Sequence, residues 1–426
     1  MFKPLLAPLK KAAAATEVDT RLVGMIAVLA LIWLGFNAVT GGAFLTPRNL
    51  WNLSVQSASV AVMATGMVLV IVTRNIDLSV GSVLGVTGMI IGVTQAEILP
   101  QMWGYGHPFT WVTALLVGIL AGAMIGALQG YIIAYMKVPA FIVTLGGLLV
   151  WRGAAWWVTS GRTVAPMDAQ FRMLGGGPTG SVGELATWLI AAAICVVVVY
   201  GLVRNRRQRR RHGFPLRPLW AEWLVGLSVS GITIGAAAVA NAYPWPTRVA
   251  ERYAEAQSIP VPDGGLVIGH GFAIPVLVAL AVGVIMTFVA TRTRFGRYVF
   301  SIGGNPEAAE LAGVNTRRVI MQVFIIMGVL AAIAAAISTA RLNAATNAQG
   351  TLDELYVIAA AVIGGTSLAG GVGKVAGAML GAVIMQSLQS GMVLVGIETP
   401  LQNIVVGSVL VLAVWVDTLY RRGTST

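Results

Sequence analysis

The sequence is poor in charged residues. Only 10% of its 426 residues are Asp, Glu, Lys or Arg, whereas 57% are hydrophobic and 51 are glycine. A soluble domain normally has about 25% charged residues, because its surface faces water. This shortage excludes a large soluble domain and indicates that lipid covers most of the surface. The abundant glycine is typical of membrane helices that pack closely.

Residues for cross-linking, metal binding and catalysis are equally scarce. Cys195 is the only cysteine, which excludes an intrachain disulfide bond. The histidines His107, His212 and His270 lie in predicted loops, and none has a potential metal ligand at helical spacing. We therefore predict no catalytic residue and no metal site.

A nucleotide-binding motif is absent as well. The run Gly370–Lys374 has the glycines and the lysine of a phosphate-binding loop, but Val375 follows where a Ser or Thr must bind magnesium. Leu368 stands where the first glycine of that motif is required. The chain is therefore predicted to hold no cofactor of its own.

Long apolar runs dominate the sequence instead. A helix needs about 20 mostly apolar residues to cross a membrane. Twelve runs meet or approach this length, which predicts an all-α, polytopic integral membrane protein of about twelve transmembrane helices: 22–40, 50–73, 78–98, 109–135, 139–158, 185–203, 219–241, 271–291, 319–340, 354–370, 373–395 and 400–419. The glycine-rich stretches 81–92 and 364–377 are candidates for broken helices, which are tolerated where protein or a cavity surrounds them.

The middles of these runs contain almost no ionisable residues. Ion-coupled transporters usually need such residues as relays, despite their cost in lipid. Arg152 is the main exception, and its position allows it to lie towards the outer end of its run. Any energy for transport is therefore expected from a partner subunit.

Positive charge is concentrated in short loops, within a net charge of +12. If the N-terminus is inside, the basic residues fall in the inner loops: Arg74, Lys137, Arg204–Arg211, 292–318, Lys374 and Arg421–Arg422. The positive-inside rule then predicts that both termini are cytoplasmic. The run Arg204–Arg211 has no interleaved aromatic residues, so we expect anionic membrane lipid beside it, and no nucleic acid.

The loop 292–318 contains the signals of a short helix. Asn305 is a good N-cap and Pro306 suits the first helical position. Glu307 complements the positive helix end, and Gly313 can end the helix in a left-handed conformation. The small side chains between them suit insertion into a partner's groove. From local chemistry alone, a docking helix and a mere connector are equal alternatives. The segment is Gly304, Asn305, Pro306, Glu307, Ala308, Ala309, Glu310, Leu311, Ala312 and Gly313.

Six stretches, taken together and in order, resemble the permeases of bacterial ATP-binding-cassette sugar importers of the ribose, xylose and arabinose type. They are Ile76–Ser82, Lys137–Leu145, Arg292–Arg297, Ile302–Ala309, Ala340–Leu342 and Val362–Gly373. The resemblance extends over most of the chain. It implies that the segment 304–313 docks on the ATPase and couples ATP hydrolysis to transport.

The resemblance also implies partners and a location. It indicates a non-catalytic permease in the bacterial inner membrane, paired with a second copy as a homodimer around a central path. A cytoplasmic ATPase would carry the ATP and Mg²⁺, and an extracytoplasmic binding protein would deliver a monosaccharide. Arg341, at the outer end of its helix, is the candidate for docking this binding protein, because such proteins often present carboxylates there.

The length of the chain indicates how the permease domain is organised and which sugar is the expected substrate. Shorter members of the family have ten spans, so the segment 159–270 is interpreted as an insertion with two extra helices. The predicted layout is a cytoplasmic tail at 1–21, one transmembrane permease domain at 22–419 and a second tail at 420–426. The xylose permeases resemble the chain in this extra length and at Ala413–Asp417, which favours D-xylose as the substrate.

Several alternatives stay open. Arg74 departs from the small or acidic residue usual before Ile-Asp-Leu-Ser, which bears on the choice of substrate. Ribose, galactose, arabinose or a branched-chain amino acid is an alternative cargo within the superfamily. An ion-coupled secondary transporter and an integral-membrane enzyme are alternatives from other classes.

Uncharged polar residues on the predicted helices are candidates for the sugar path. Asn52, Gln56 and Ser59 share one helix face at i, i+4 and i+7, and Gln386 and Gln389 form a second pair. Amides and hydroxyls both donate to and accept from sugar hydroxyl groups. The same side chains are equally able to hydrogen-bond between helices.

The charge pattern gives a topology that cysteine labelling can test. In a variant that lacks Cys195, a single cysteine placed at Gln208 should not react with a membrane-impermeant reagent in intact spheroplasts. It should react once the membrane is opened. Labelling of the intact cells would contradict both the cytoplasmic position of this loop and the twelve-helix arrangement.

Overall fold

The structure is a computed structural model. It describes Glu17, residues 19–262 and residues 265–422, except the side chains of Thr20 and of residues 416–422. Most of the predicted N-terminal tail and residues 423–426 of the C-terminal tail therefore lie outside the described residues. Within these ranges the fold is helical, and three isolated bridges are its β structure.

The helices follow the apolar runs of the sequence. In chain order they are α1 Thr20–Val39, α2 Pro47–Val72, α3 Val80–Trp103, α4 Thr110–Ala134, α5 Ala140–Trp157, α6 Gly183–Arg211, α7 Leu219–Asn241, α8 Thr247–Gln257, α9 Ile274–Arg292, α10 Arg294–Gly304, α11 Pro306–Leu311, α12 Thr316–Leu342, α13 Asp353–Ile363, α14 Val375–Leu394 and α15 Thr399–Arg422. Ten of those in the described ranges are long and apolar enough to cross a membrane: α1 to α7, α9, α12 and α14. The chain is a multi-pass membrane protein.

Two glycine-rich runs behave differently from each other. The run at 81–92 lies in α3, which continues to Trp103 through a π-helical turn at Thr94–Ile98. The stretch 364–377 interrupts the helical structure as expected, so the run predicted as a span at 354–370 is not continuous, and α13 ends at Ile363 after 11 residues. That length is about 17 Å, whereas the hydrocarbon core is about 30 Å thick. The chain then turns through Gly364 to Lys374 before α14 begins.

The described chain divides into two compact units. The first contains the described part of Met1–Val28, Thr46–Trp51 and Ser181–Ala273. The second contains Leu29–Leu45, Asn52–Gly180 and the described part of Ile274–Thr426. The two additional helices expected from chain length, α6 and α7, both lie in the first unit.

The loops of the first unit pack around one aromatic cluster. The Tyr243 and His270 rings stack with centroids 4.3 Å apart, and the Trp51 ring lies 4.8 Å from His270. The Trp51 indole donates to the carbonyl oxygen of Gly271 at 2.9 Å. Burial lowers the pKa of His270, so its ring is neutral at pH 7. Because its Nδ1 lies 2.9 Å from the carbonyl oxygen of Tyr243, Nδ1 carries the proton.

The basic end of α6 is partly neutralised inside the first unit. Arg206 donates to the Glu222 carboxylate at 2.8 Å. Glu17 accepts from both Arg209 and Arg217, at 2.6 and 2.7 Å, and these hydrogen bonds lower its pKa to about 2. The Glu17 carboxylate therefore stays ionised at any pH above about 4.

Small residues control the packing of the second unit. Along α4, Gly118, Gly122, Gly126 and Gly130 recur every fourth residue and form one stripe. Gly118 faces Ile91 of α3, and the rest of the stripe lies against α12, where the Gly126 Cα faces the backbone of Phe324 and Gly122 faces Gly328. The absence of side chains lets the two backbones approach closely, which drives helix association in lipid.

We expect Gly126→Ala to destabilise the protein, although the change adds a single methyl group. A Cβ at this position would lie 2.9 Å from the Cα of Ile325 and even closer to the Phe324 carbonyl, so the helices must move apart. Overpacking of this kind typically costs about 1–3 kcal/mol. Thermal unfolding in detergent measures the effect.

The matched control is Gly153→Ala in α5. An added Cβ there meets no atom within 4 Å. Because alanine is the better helix former, this variant should be as stable as the wild type or slightly more stable. Equal stability of the two variants would show that the α4 stripe does not set the helix spacing.

Candidate functional site

Three of the five amide and hydroxyl residues predicted for the path lie together. Gln386 of α14 donates through Nε2 to the Gln56 Oε1 at 3.2 Å and to the Gln389 Oε1 at 2.9 Å. Asn52 and Ser59 lie on the same face of α2 as Gln56, about one turn away on either side. The structure thus joins the two sequence-predicted groups into one amide cluster, formed by Gln56, Gln386 and Gln389.

The amide cluster lies deep between its helix ends. Gln56 is about 14 Å along α2 from Pro47, and Gln386 is about 17 Å along α14 from Val375, at 1.5 Å per residue. Gln56 and Gln389 are only partly buried. Each amide keeps unused donors or acceptors beyond the bonds within the cluster, which suits weak binding of a neutral hydroxylated molecule.

A second polar group, which the sequence analysis did not predict, lies where α3 begins. Asp77 is buried, and its Oδ1 accepts from the Ser79 amide at 2.8 Å and from the Ser79 hydroxyl at 2.6 Å. Gln129 of α4 donates to the Ser79 Oγ at 2.9 Å. The signal was present as the polar pair inside Ile76-Asp-Leu-Ser79, but the partner at Gln129 is 50 residues away.

The chain between α12 and α13 is also irregular and runs along α3. Arg152 of α5 donates through Nη1 to the carbonyl oxygens of Asn347 at 3.0 Å and Gln349 at 2.8 Å. The Gln349 side chain donates in turn to the Thr339 hydroxyl at 3.1 Å. Arg152, which stood out in the sequence as an isolated charge, thus satisfies backbone carbonyls that no helix serves.

Two carboxylates follow this irregular segment. Glu354 is 6% exposed, and its Oε2 has no hydrogen-bond partner within the described structure. Asp353 interacts electrostatically with Arg341 and Arg152. Sequence analysis missed this charge cluster, because its members come from α5, α12 and α13 and are far apart in the chain.

Arg341 lies where it was predicted, in the last turn of α12. It is exposed, as a docking residue must be. Its electrostatic interaction with Asp353 means that the residue also has a role inside its own chain.

The predicted short helix at 305–313 has the expected caps. The Asn305 Oδ1 accepts from the Ala308 amide at 3.0 Å, and Pro306 is the first residue of α11. Gly313 has φ +82°, in the left-handed region. The Glu310 carboxylate accepts from the Thr316 hydroxyl at 2.6 Å and so fixes α11 to the start of α12.

Among the apolar side chains of the predicted docking segment, Ala308, Leu311 and Ala312 are exposed and Ala309 is buried. Ala309 is 4% exposed and packs into the chain's own core, so it cannot meet a partner. Leu311 is 91% exposed, the highest exposure among the large hydrophobic side chains described. Ala309 is buried while Leu311 is exposed because the two residues are two positions apart in the helix and point in different directions.

A further helix, α10, precedes α11 and was not predicted. Thr293 is its N-cap and accepts from the Gly296 amide at 3.1 Å. Its buried residues Val299 and Ile302, with Phe295 packed against the core, follow a helical spacing. That spacing was available in the sequence as the signal for this helix.

The described residues contain no group of three or more His, Cys, Asp or Glu side chains that could hold a metal ion.

Comparison with known proteins identifies the family. The family model described as "Branched-chain amino acid transport system / permease component" matches residues 49–414, most of the chain. The chain belongs to this family of transport permeases. Permeases of this kind are transport subunits without catalytic residues of their own, which agrees with the scarcity of such residues in the sequence.

Individual relatives of this permease extend over nearly its whole length. The xylose transport system permease protein XylH of Escherichia coli (strain K12) is 38% identical over 400 residues, 93% of this chain and 92% of the relative. The protein of the same name in Haemophilus influenzae is 35% identical over 406 residues, 95% and 98% of the two chains. The ribose import permease protein RbsC of Escherichia coli (strain K12) is 31% identical over 396 residues, 93% and 92%. No solved structure matches the permease.

Proposed function

We propose that this chain is the membrane-spanning permease subunit of an ATP-driven, binding-protein-dependent importer of D-xylose. The observation that carries the proposal is the order of the relatives. Those named as xylose permeases are 35–38% identical over almost the full length, and the one named as a ribose permease is 31% identical. The family description names branched-chain amino acids, but these individual relatives are sugar permeases by name.

The importer would need three further components. The Gly370–Lys374 run of this chain lacks the hydroxyl residue of a phosphate-binding loop. ATP and Mg²⁺ therefore bind to a separate cytoplasmic ATP-binding-cassette ATPase. A second copy of the permease completes the path, and an extracytoplasmic binding protein delivers the sugar. The assembly lies in the bacterial inner membrane, with lipid around it.

The helix α11 is proposed to couple ATP hydrolysis to sugar movement. Its caps make it a self-contained unit, and the basic loop 292–318 that contains it is one of those expected in the cytoplasm. An almost fully exposed Leu311 in a loop that faces water is unfavourable unless a partner covers it. Leu311 therefore serves as the apolar anchor for the ATPase.

The amide cluster and its neighbours on α2 are proposed to line the sugar path. Uncharged donors and acceptors hold hydroxyl groups weakly, which allows the sugar to leave as readily as it enters. The binding protein then provides the selectivity, and Arg341 is proposed to contribute to its docking.

The buried carboxylates favour one alternative, an ion-coupled carrier. Asp77 and Glu354 are ionisable groups of the kind that proton and sodium relays use. Both lie at helix breaks, and Asp77 is already hydrogen-bonded to Ser79. Permease family membership favours the ATP-driven importer over the carrier.

Uptake by proteoliposomes tests the function. Vesicles that contain the permease and its ATPase, supplied with binding protein and ATP, should accumulate radiolabelled D-xylose. Excess ribose or leucine should compete poorly. Accumulation by the permease alone in a sodium or proton gradient would overturn the proposal, and strong competition by another solute would change the assigned cargo.

Leu311→Asp should weaken the association of the permease with its ATPase. Loss of a buried apolar anchor typically costs about 2 kcal/mol or more, roughly a 30-fold loss of affinity. Because the side chain is 91% exposed in the isolated chain, folding and membrane insertion should be unchanged. Co-purification and ATPase binding measure the effect.

The matched control is Leu342→Asp. This leucine is 49% exposed and lies at the opposite end of α12, on the predicted outer side. It should leave ATPase binding unchanged. Normal binding by the Leu311 variant would show that α11 is only a connector.

A further inference from the structure

Three segments of the second unit meet at one point, which we call the glycine knot: residues 72–74 after α2, Gly303–Gly304 at the end of α10, and Gly370–Gly371 between α13 and α14. The Gly371 amide donates to the carbonyl oxygen of Val72 at 3.0 Å. A Cβ on Gly303 would lie 2.5 Å from the Gly371 nitrogen. The three backbones are therefore in direct contact, with no room for a side chain at Gly303.

Arg74 is the residue whose side chain binds this knot together. Its Nε donates to the carbonyl oxygen of Gly303 at 2.8 Å, and its Nη2 donates to that of Gly304 at 2.7 Å. The last carbonyls of a helix have no partner within the helix and carry its partial negative charge. A planar guanidinium with several fixed donors can serve two such carbonyls at once, which an ammonium group cannot.

The backbone of Arg74 is specialised for this contact. Arg74 has φ +63°, a left-handed conformation that non-glycine residues seldom adopt. The conformation turns the chain sharply after α2. Such a conformation costs free energy, and the surrounding structure must hold it in place.

The glycine knot connects α11 with the two helices that carry the amide cluster. Gly304 is followed at once by Asn305, the cap of α11. The helix α2, which ends at the knot, carries Gln56, and the loop that contains Gly370–Gly371 leads into α14, which carries Gln386. These contacts thus connect α11 to both helices that carry the amide cluster.

We infer that Arg74 is a positioning residue that transmits movement of α11 to α2 and α14, so that ATP hydrolysis moves the sugar. The inference rests on the proposed function. Arg74 touches neither sugar nor nucleotide, and it acts by holding the α10–α11 junction to the end of α2.

The experiment measures xylose imported per ATP hydrolysed by the reconstituted complex of permease, ATPase and binding protein. Arg74→Ala should lower the ratio of xylose imported to ATP hydrolysed about tenfold, while ATP hydrolysis continues. The free energy of a hydrogen bond from a charged group is of the size that corresponds to a tenfold change. Arg74→Lys should give an intermediate ratio, since its ammonium holds one carbonyl in place of two.

Lys137→Ala is the matched control. Lys137 is also basic, also follows a membrane helix on the predicted inner side and also has a left-handed backbone, with φ +57°. The ratio of xylose imported to ATP hydrolysed should be the same for Lys137→Ala as for the wild type. This control separates the loss of the Arg74 contacts from the loss of a positive charge at a helix end.

Each outcome has one meaning. A wild-type ratio in Arg74→Ala overturns the inference and leaves the importer standing, whereas a wild-type complex that imports no xylose overturns the proposed function. If Arg74→Ala fails to assemble with the ATPase, the Arg74→Lys ratio decides. A normal ratio there would show that Arg74 only supports folding.

Discussion

Backbone amides and carbonyls inside a membrane have no water to bind, and this constraint accounts for several polar contacts of the second unit. Within the described residues, three of the places where the chain leaves helical conformation have a side-chain donor, and one of the three, at Gly303–Gly304, belongs to the loop predicted on the cytoplasmic side. Arg152 serves the carbonyls of Asn347 and Gln349, and Arg74 serves those of Gly303 and Gly304. The Thr144 hydroxyl lies 3.2 Å from the Ile76 carbonyl oxygen at the third break. Without these donors the irregular segments would each cost several kcal/mol.

Close helix contact is the condition that lets single side chains reach these breaks. The glycines from Gly122 to Gly130 bring α4 against α12, and Gly85 leaves space for the Gln349 carbonyl, which would lie 2.9 Å from a Cβ there. Glycine is costly within a helix in water, but in lipid it permits backbone contact that larger residues prevent. The high glycine content of the sequence is thus explained by packing as well as by turns.

The sequence predicted what depends on neighbouring residues. Span positions followed from hydropathy, and the caps of α11 followed from Asn305, Pro306 and Gly313. Prediction from the sequence failed where the structure depends on contacts between segments that are far apart in the chain. The burial of Ala309 depends on tertiary packing, and the charge cluster around Glu354 joins helices far apart in the chain. The short α13 was predicted as a full span, because hydropathy counts apolar residues and is blind to the turn that follows Ile363.

The polar side chains of the second unit include buried carboxylates and an uncharged amide cluster. This difference in charge affects which of them would suit the passage of a neutral sugar. The carboxylates Asp77 and Glu354 are both buried, and Asp77 is hydrogen-bonded to Ser79. The amide cluster is uncharged and only partly buried. A path of amides attracts hydroxyl groups weakly, whereas an exposed carboxylate would bind water or cations in preference to a sugar. Arg74 and Arg152 thus support irregular backbone, whereas the amide cluster proposed for the sugar path is neutral.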